Sequence, residues 1–266
     1  MKTLKAAGFF VKIREANRMI KEYYRPKSVP EAEKLFEMEG KKCVPLGGGS
    51  VLSRLKQDDL CVVDLQDLGL NRIEVTGQKV HIGSTVTLQQ FIESEFIPEI
   101  LKEITRKSAT LNLRNQATVG GYVVTADGRA PLAIALMALD AQLIWHPGQK
   151  IQNIGDWFSL RQALGYWISG IQFNLNVQLD YEQVARTPMD VPILAIGVAR
   201  WPSGRTRVVL GGYGRAPILA LDGPEGSGVL EAVKNALTES GDEWASAEYR
   251  QEVGQVLAKR ILSTTA

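Results

Sequence analysis

The chain has 266 residues, of which 45% are hydrophobic and 23% are charged, and 31 basic against 29 acidic residues leave a formal charge of +2. This length suits one large domain or two ordinary ones with sizeable cores. The near balance of charge argues against a nucleic-acid partner, which normally needs clustered Lys and Arg. No apolar run approaches the roughly 18 residues of a membrane span, so we expect none.

Metal-binding side chains are scarce. The chain contains two cysteines, Cys43 and Cys61, and two histidines, His81 and His146. An iron-sulfur cluster normally needs four thiolates, and no Cys or His pair has zinc-ligand spacing, so we expect no metal site. Two cysteines would allow one disulfide, but we expect none. The start of the chain has no apolar core of signal-peptide length, and we therefore expect a cytoplasmic protein.

The first predicted elements follow a basic segment. Residues 1–27 contain eight basic and two acidic residues, which predicts a solvated surface segment or a docking arm for a partner. Ser28 and Glu31 have capping-box spacing, which predicts a helix that ends at Gly40. Apolar runs predict two strands of a β-α-β unit, at residues 43–46 and 60–65.

Alternating and helical patterns fill the rest of the chain. Apolar and polar residues alternate on both sides of Gly77, which predicts a hairpin with four core-facing residues, Ile73, Val75, Val80 and Ile82. Helices are predicted at residues 87–93, 98–107 and 132–139, and strands at 142–145 and 171–179. The texture changes near Asp180, where we expect a domain boundary. Beyond it, strands at 192–199 and 207–210 and helices at 229–237 and 245–262 predict a sheet with helices on one face.

Two glycine-rich segments are the first candidates for chemistry. Gly47, Gly48, Gly49 and Ser50 follow a predicted strand, and residues 118–121 form a second segment, T-V-G-G. Glycines allow backbone amides to approach an anion closely. Each segment alone is typical of a tight turn. Two turns that each offer amides and a hydroxyl are predicted to converge on one diphosphate.

The same segments resemble a known family. Residues 46–52, L-G-G-G-S-V-L, resemble L-A-G-G-T-D-L, and residues 113–121, L-R-N-Q-A-T-V-G-G, resemble I-R-N-x-A-T-I-G-G. Both patterns belong to the FAD-binding medium subunits of molybdenum hydroxylases, the group of xanthine dehydrogenase and carbon monoxide dehydrogenase. Further similar segments occur in the same order, at residues 24–32, 136–141, 245–250 and 256–260.

The resemblance implies an α+β fold. It has a two-part FAD-binding domain of the vanillyl-alcohol-oxidase and CO-dehydrogenase flavoprotein type, and a C-terminal α+β domain. The implied division is a basic extension at 1–21, an FAD-binding domain at 22–179 with subdomains of about 22–70 and 71–179, and the C-terminal domain at 180–266. The FAD-binding residues implied are Leu46, Gly47, Gly48, Gly49, Ser50, Val51, Leu52, Thr118, Val119, Gly120, Gly121, Tyr122, Thr125, Asp127 and Tyr181. Valine at Gly48 or Gly120 is expected to abolish FAD retention in a folded protein.

The chain departs from the family pattern after the second glycine segment. Tyr122 stands in place of an Asn, Asp127 and Gly128 in place of Ser-Pro, and Pro131 in place of an acidic residue for which Asp127 is a candidate substitute. After Tyr181, Glu182 and Gln183 stand where the family commonly has Lys or Arg. The glycines at 211, 212 and 214 are predicted to form a turn or to approach the flavin.

The function implied is that of an FAD-containing electron-transfer subunit of an oxidoreductase. Its partners would be an iron-sulfur subunit and a molybdopterin-containing large subunit in a hetero-oligomer, with NAD+ or a quinone-like molecule as acceptor. Two alternatives stay open: a stand-alone flavin oxidoreductase, and a non-catalytic FAD-binding or assembly protein of such a complex. The sequence offers no catalytic residue set of its own.

Overall fold

A computed structural model describes residues 20–264, apart from residue 39, residues 41 and 42, and residues 53–59. The strands form three sheets, of three, five and four strands. Most of the predicted basic segment lies outside the described residues. Its last part does not, because Ile20–Tyr24 forms strand β1.

The first sheet is parallel, with the order β1-β3-β2. It contains β1, β2 (Cys43–Leu46) and the buried central strand β3 (Leu60–Asp64). Strands β2 and β3 were predicted. The described part of the segment lies at the surface as predicted, but its strand β1 was not predicted, because an edge strand with charged side chains has the composition of a surface segment.

Helix α1 (Val29–Phe36) packs against this sheet through Ala32 and Phe36. Ser28 is the N-cap as predicted, but its side chain makes no capping bond. The Glu31 carboxylate instead accepts a hydrogen bond of 2.8 Å from the Lys27 amide. The helix ends at Phe36, short of the predicted stop at Gly40.

The expectation of unpaired cysteines is wrong. Cys43 and Cys61 are register partners on β2 and β3, with their Cα atoms 4.4 Å apart, and they form a disulfide. The 18-residue separation in sequence does not reveal this neighbourhood, because it arises only when the two strands pair in parallel.

The second sheet has the order β4-β5-β8-β6-β7. Its strands are β4 (Ile73–Thr76), β5 (Lys79–Gly83), β6 (Gln142–His146), β7 (Lys150–Asn153) and β8 (Trp167–Asn174). The hairpin is confirmed. Val80 and Ile82 are buried, whereas Val75 is 38% exposed because β4 is an edge strand. The predicted strand 171–179 is wrong, because β8 ends at Asn174 and a new strand begins at Gln178.

Helices cover the second sheet. They are α2 (Leu88–Glu93), α3 (Glu99–Ser108), α4 (Leu111–Gln116), α5 (Val119–Thr125), α6 (Pro131–Ala138) and α7 (Ile154–Leu160). The predictions of α2, α3 and α6 are confirmed, and every residue of α6 is buried. The second glycine segment is the start of helix α5 rather than a turn, and β7 and α7 were not predicted.

The third sheet is antiparallel, with the order β12-β11-β10-β9. Its strands are β9 (Gln178–Val184), β10 (Leu194–Arg200), β11 (Thr206–Gly211) and β12 (Ile218–Gly223). Helices α8 (Val229–Ala236) and α9 (Ala247–Thr264) pack on one face, and α6 packs on the other. The α+β class is confirmed, and the division into domains stays a prediction.

Candidate cofactor site

Both glycine-rich segments line one cavity of about 320 Å³. Ten of the residues predicted to bind FAD line it: Gly47, Gly48, Gly49, Ser50, Val51, Leu52, Thr118, Gly120, Gly121 and Thr125. The other wall residues are Val44, Pro45, Leu65, Ser84, Thr85, Val124, Trp167 and Ile168. The two segments, about 70 residues apart in sequence, are therefore brought together as predicted.

The first segment leaves the carboxyl end of parallel strand β2, which is the edge of a parallel sheet where ligands commonly bind. Gly49 has a φ of +72°, in the region that favours glycine. The amides of Gly48, Gly49 and Ser50 have no acceptor among the described residues. Successive free amides in a turn of this kind form a concave binding surface for an anion.

Gly47 and Gly48 also make the contact between the two segments. A Cβ on Gly48 would lie 1.6 Å from the carbonyl oxygen of Gln116, and one on Gly47 would lie 2.6 Å from Thr118 Oγ1. A Cβ on Gly120 would lie 2.7 Å from the Cβ of Ser84. A valine at Gly48 or Gly120 would therefore have to displace neighbouring atoms, and the expectation of a folded protein without FAD stays a prediction.

Three of the four backbone amides of the second segment donate hydrogen bonds within the protein. The Val119 amide donates to the Val86 carbonyl over 2.8 Å, and the Gly120 amide donates to the Ser84 carbonyl over 3.1 Å. The Gly121 amide donates to Thr118 Oγ1 over 3.2 Å, which caps α5. The Thr118 amide has no acceptor among the described residues, so this segment keeps one amide and the Thr118 hydroxyl for a ligand, and its predicted contact with a diphosphate stays a prediction.

Two other predicted residues lie behind the cavity wall. The Leu46 carbonyl accepts from the Leu65 amide over 2.9 Å, which extends the pairing of β2 with β3. Val119 is fully buried in the main core. Neither residue lines the cavity, so their predicted contact with FAD stays a prediction.

Three more of the predicted residues do not line the cavity. Tyr122 and Tyr181 both pack against the main core, and burial raises the pKa of each phenol. The Tyr181 hydroxyl donates to Gln183 Oε1 over 2.9 Å. Asp127 is exposed, and its Oδ1 accepts from the Arg129 amide over 2.8 Å. None of the three lines the cavity, and their role in FAD binding stays a prediction.

The departure at Asp127 and Gly128 has a packing explanation. The Gly212 amide donates to the Gly128 carbonyl over 2.6 Å, and the Gly128 amide donates to the Gly214 carbonyl over 3.2 Å. A Cβ on Gly128 would lie 1.8 Å from the carbonyl oxygen of Tyr213. The glycines around Tyr213 thus form a turn that joins the end of α5 to the third sheet.

Sequence reasoning missed two hydroxyls in the wall, those of Ser84 and Thr85. Both side chains are buried, and neither hydroxyl oxygen has a hydrogen-bond partner among the described residues. The buried indole nitrogen of Trp167 is in the same situation. Buried polar atoms without partners are rare and suggest a bound group, so the wall fits a polar ligand. The only sequence signal is a Gly-Ser-Thr run at the end of β5.

The part of the chain that the structure describes has no cluster of three metal-ligating side chains. No described helix is long and apolar enough to cross a membrane. The described residues of the cavity wall include no titratable side chain, and they offer amides, hydroxyls and apolar contacts to a ligand.

A helix-covered fold and a cavity between two glycine segments define the class as flavin-binding. Residues 16–164 match the family described as the FAD binding domain in molybdopterin dehydrogenase, and the chain belongs to that family. Its cofactor is therefore FAD, and it is an oxidoreductase subunit of this group.

Similar proteins cover much of the chain. The carbon monoxide dehydrogenase medium chain of Afipia carboxidovorans is 29% identical over 147 residues, which cover 52% of this chain and 51% of that one. The uncharacterized protein YgfM of Escherichia coli K12 is 25% identical over 90% of this chain and 94% of its own. The structure of reconstituted CO dehydrogenase from Oligotropha carboxidovorans has a TM-score of 0.72 at 25% identity, with 90% of this chain and 95% of that chain covered.

Proposed function

We propose that this chain is the FAD-containing electron-transfer subunit of a molybdenum hydroxylase complex. Its partners would be an iron-sulfur subunit and a molybdopterin-containing large subunit, and its acceptor NAD+ or a quinone-like molecule. The observation that supports this best is the shared cavity, which both glycine segments line and in which three amides of the first segment have no acceptor among the described residues. The similarity to a CO dehydrogenase medium chain supports a hetero-oligomer.

The two glycine segments would contribute differently to the binding of FAD. The amides of Gly48, Gly49 and Ser50 would hold the diphosphate, because they are successive donors with no acceptor in the part of the chain that the structure describes. The start of α5 would close the opposite side, with the Thr118 hydroxyl available to donate. Bound FAD supplies the redox chemistry, since it accepts and releases electrons singly or in pairs.

The remaining predicted residues fit around this arrangement. Leu46 and Val119 would support the wall from behind, and Tyr122 would anchor α5 in the core. Asp127 and Tyr181 are proposed to contact parts of FAD that extend beyond the cavity. The proposal keeps the division at residues 1–21, 22–179 and 180–266.

The titration properties of the wall favour electron transfer over a stand-alone oxidoreductase. An organic substrate oxidised at this site would need a group to accept a proton, and the described residues that line the cavity include no titratable side chain. An assembly protein that binds FAD without turnover would present the same wall. Reduction of the bound flavin by partner subunits separates that alternative from electron transfer.

The test begins with the purified chain. We expect a flavin absorption spectrum, release of one FAD per chain by acid, and reversible reduction without oxygen. Co-expression with candidate iron-sulfur and molybdopterin subunits should yield a complex in which substrate reduces this flavin. A chain that neither retains nor takes up FAD would overturn the proposal. FAD that partners never reduce would favour the assembly protein.

A further inference from the structure

The two cysteines stand on either side of the first glycine segment. Cys43 begins β2 and Cys61 is the second residue of β3, and the disulfide between them joins residues 18 apart in sequence. Eight of the 18 residues of the cavity wall lie between these cysteines, at residues 44, 45 and 47–52. The disulfide is therefore a covalent tie at the base of the loop that forms almost half of the wall.

Strand β2 is a short element at the edge of its sheet. It has four residues, and among the described strands it pairs with β3 alone. Pro45, its third residue, has no amide hydrogen to donate to a neighbouring strand. A four-residue edge strand that contains proline has few backbone hydrogen bonds to hold it. The position of the glycine segment that follows β2 therefore depends in part on the disulfide.

The two cysteines differ in exposure. Cys61 is 7% exposed, whereas Cys43 is only partly buried on its edge strand. Thiol-disulfide exchange requires access to a sulfur atom, and Cys43 is the residue that a thiol in solution would meet first. The chain has no further cysteine, so its thiol chemistry is confined to this pair.

We propose that Cys43 and Cys61 form a redox-sensitive modification site, at which reduction by a dithiol loosens the first glycine segment and weakens FAD binding. This inference rests on the proposed function, because its consequence is a change in FAD affinity. The disulfide holds the loop that presents the amides of Gly48, Gly49 and Ser50. A loop that is already held in its binding conformation loses less freedom when the ligand binds.

The reduction consists of two exchange steps. A thiolate of the dithiol attacks Cys43 Sγ, the bond between the two protein sulfur atoms breaks, and Cys61 leaves as a thiolate that takes up a proton. The second thiolate of the reductant then attacks the mixed disulfide and releases Cys43, which also takes up a proton. The protein gains two electrons and two protons, and the dithiol loses them and becomes a disulfide.

The first measurement is the thiol content of the folded, flavin-free chain before and after treatment with dithiothreitol. Thiols are counted by maleimide labelling after the reductant is removed and the chain is unfolded. We expect none before treatment and both cysteines after it, with a Tm lower by roughly 6 °C or more, because the disulfide restricts the unfolded chain. A disulfide that stays intact in the folded chain would overturn the inference, as would an untreated chain with free thiols.

The second measurement is the Kd for FAD of the oxidised and the reduced chain. We expect reduction to weaken binding about tenfold, and reoxidation with glutathione disulfide to restore it. Cys43→Ala/Cys61→Ala should bind FAD like the reduced wild type, and dithiothreitol should not change its Kd. If this variant does not fold, the wild-type comparison still decides. Equal FAD affinity of the oxidised and reduced wild type would overturn the inference.

Thermodynamic linkage provides a test that needs no variant. If FAD binds the oxidised chain about tenfold more tightly, saturation with FAD must make the disulfide harder to reduce by the same factor. This factor lowers the midpoint potential of a two-electron couple by about 30 mV, which thiol labelling in glutathione redox buffers can measure. An unchanged potential overturns the inference. A chain that exchanges its disulfide but binds FAD in neither state overturns the proposed function and the inference together, whereas equal binding in both states overturns only the inference.

Discussion

The two glycine-rich segments look alike in sequence but differ in how their backbone amides are hydrogen-bonded. In the first, residues 47–50, the amides of three consecutive residues have no acceptor among the described residues. In the second, residues 118–121, the amides of Val119, Gly120 and Gly121 are all bonded within the protein. The first segment is therefore the candidate anion-binding loop, and the second is the scaffold against which that loop packs.

This difference shows what a glycine signal means. Gly47 and Gly48 are close to Thr118 and Gln116, and Gly120 is close to Ser84, so these glycines are required by packing. Gly49 is different, because its positive φ shapes the loop while a Cβ there would meet only the side chain of Leu46, at 3.4 Å. Substitutions can therefore separate loss of folding from loss of binding.

Gly48→Ala should have the largest effect. Its Cβ would lie 1.6 Å from the Gln116 carbonyl oxygen, so the two segments must move apart. We expect a loss of about 3 kcal/mol in the free energy of unfolding, a Tm lower by roughly 6 °C or more, and loss of FAD. Gly223→Ala is the control, since a Cβ there meets nothing closer than 3.6 Å. Calorimetry that shows equal stability for both variants would contradict the packing.

Gly49→Ala should separate binding from folding. An alanine at a φ of +72° is strained by about 1–2 kcal/mol, and relief of that strain would turn the free amides away. FAD affinity should fall tenfold or more while the protein stays folded. Gly77→Ala is a matched control, because Gly77 has a φ of +61° in the β4–β5 turn and no atom within 4 Å of an added Cβ. If both variants bind FAD normally, the first segment is not the anion-binding loop.

Thr118→Val should have a smaller effect and tests the scaffold segment. The hydroxyl accepts from the Gly121 amide, and loss of such an N-cap costs about 1 kcal/mol. FAD affinity should fall only severalfold, because three of the four amides of this segment donate within the protein. Thr118→Ser keeps the cap and should restore both stability and affinity. Thermal unfolding and flavin titration of the pair check this, and a loss of affinity as large as that of Gly49→Ala would remove the distinction between the segments.

Local periodicity in the sequence predicted much of the fold, and the features that it missed depend on which strands pair. The hairpin of β4 and β5, helices α2, α3 and α6, and the C-terminal elements β10, β11, α8 and α9 were visible as local patterns, whereas β12 was not predicted. The disulfide and strand β1 were not, because both depend on which strands pair. Strand β9 was missed as a separate element, because the alternation of β8 continues through the turn that joins them.

The cofactor site was predicted in part for the same reason. The two glycine segments were recognisable because glycine is required wherever backbones approach closely. Ser84 and Thr85 were not, because a hydroxyl at the end of a strand has no sequence signature that shows whether a neighbour satisfies it. The sequence also did not show that amides of the second segment are bonded within the protein, because their acceptors include the carbonyls of Ser84 and Val86.

The smallest expected effect is that of pH on FAD affinity. Amides and hydroxyls do not titrate in the ordinary range, and none of the described residues that line the cavity has an ionisable side chain. Burial raises the pKa of the Tyr122 phenol, so the phenol stays neutral in the ordinary range. Its contribution to the free energy of unfolding is full below about pH 10 and is lost as the pH rises further. Titrations with FAD between about pH 6.5 and 9 should therefore give one Kd. A Kd that changes within this range would contradict binding by uncharged groups alone.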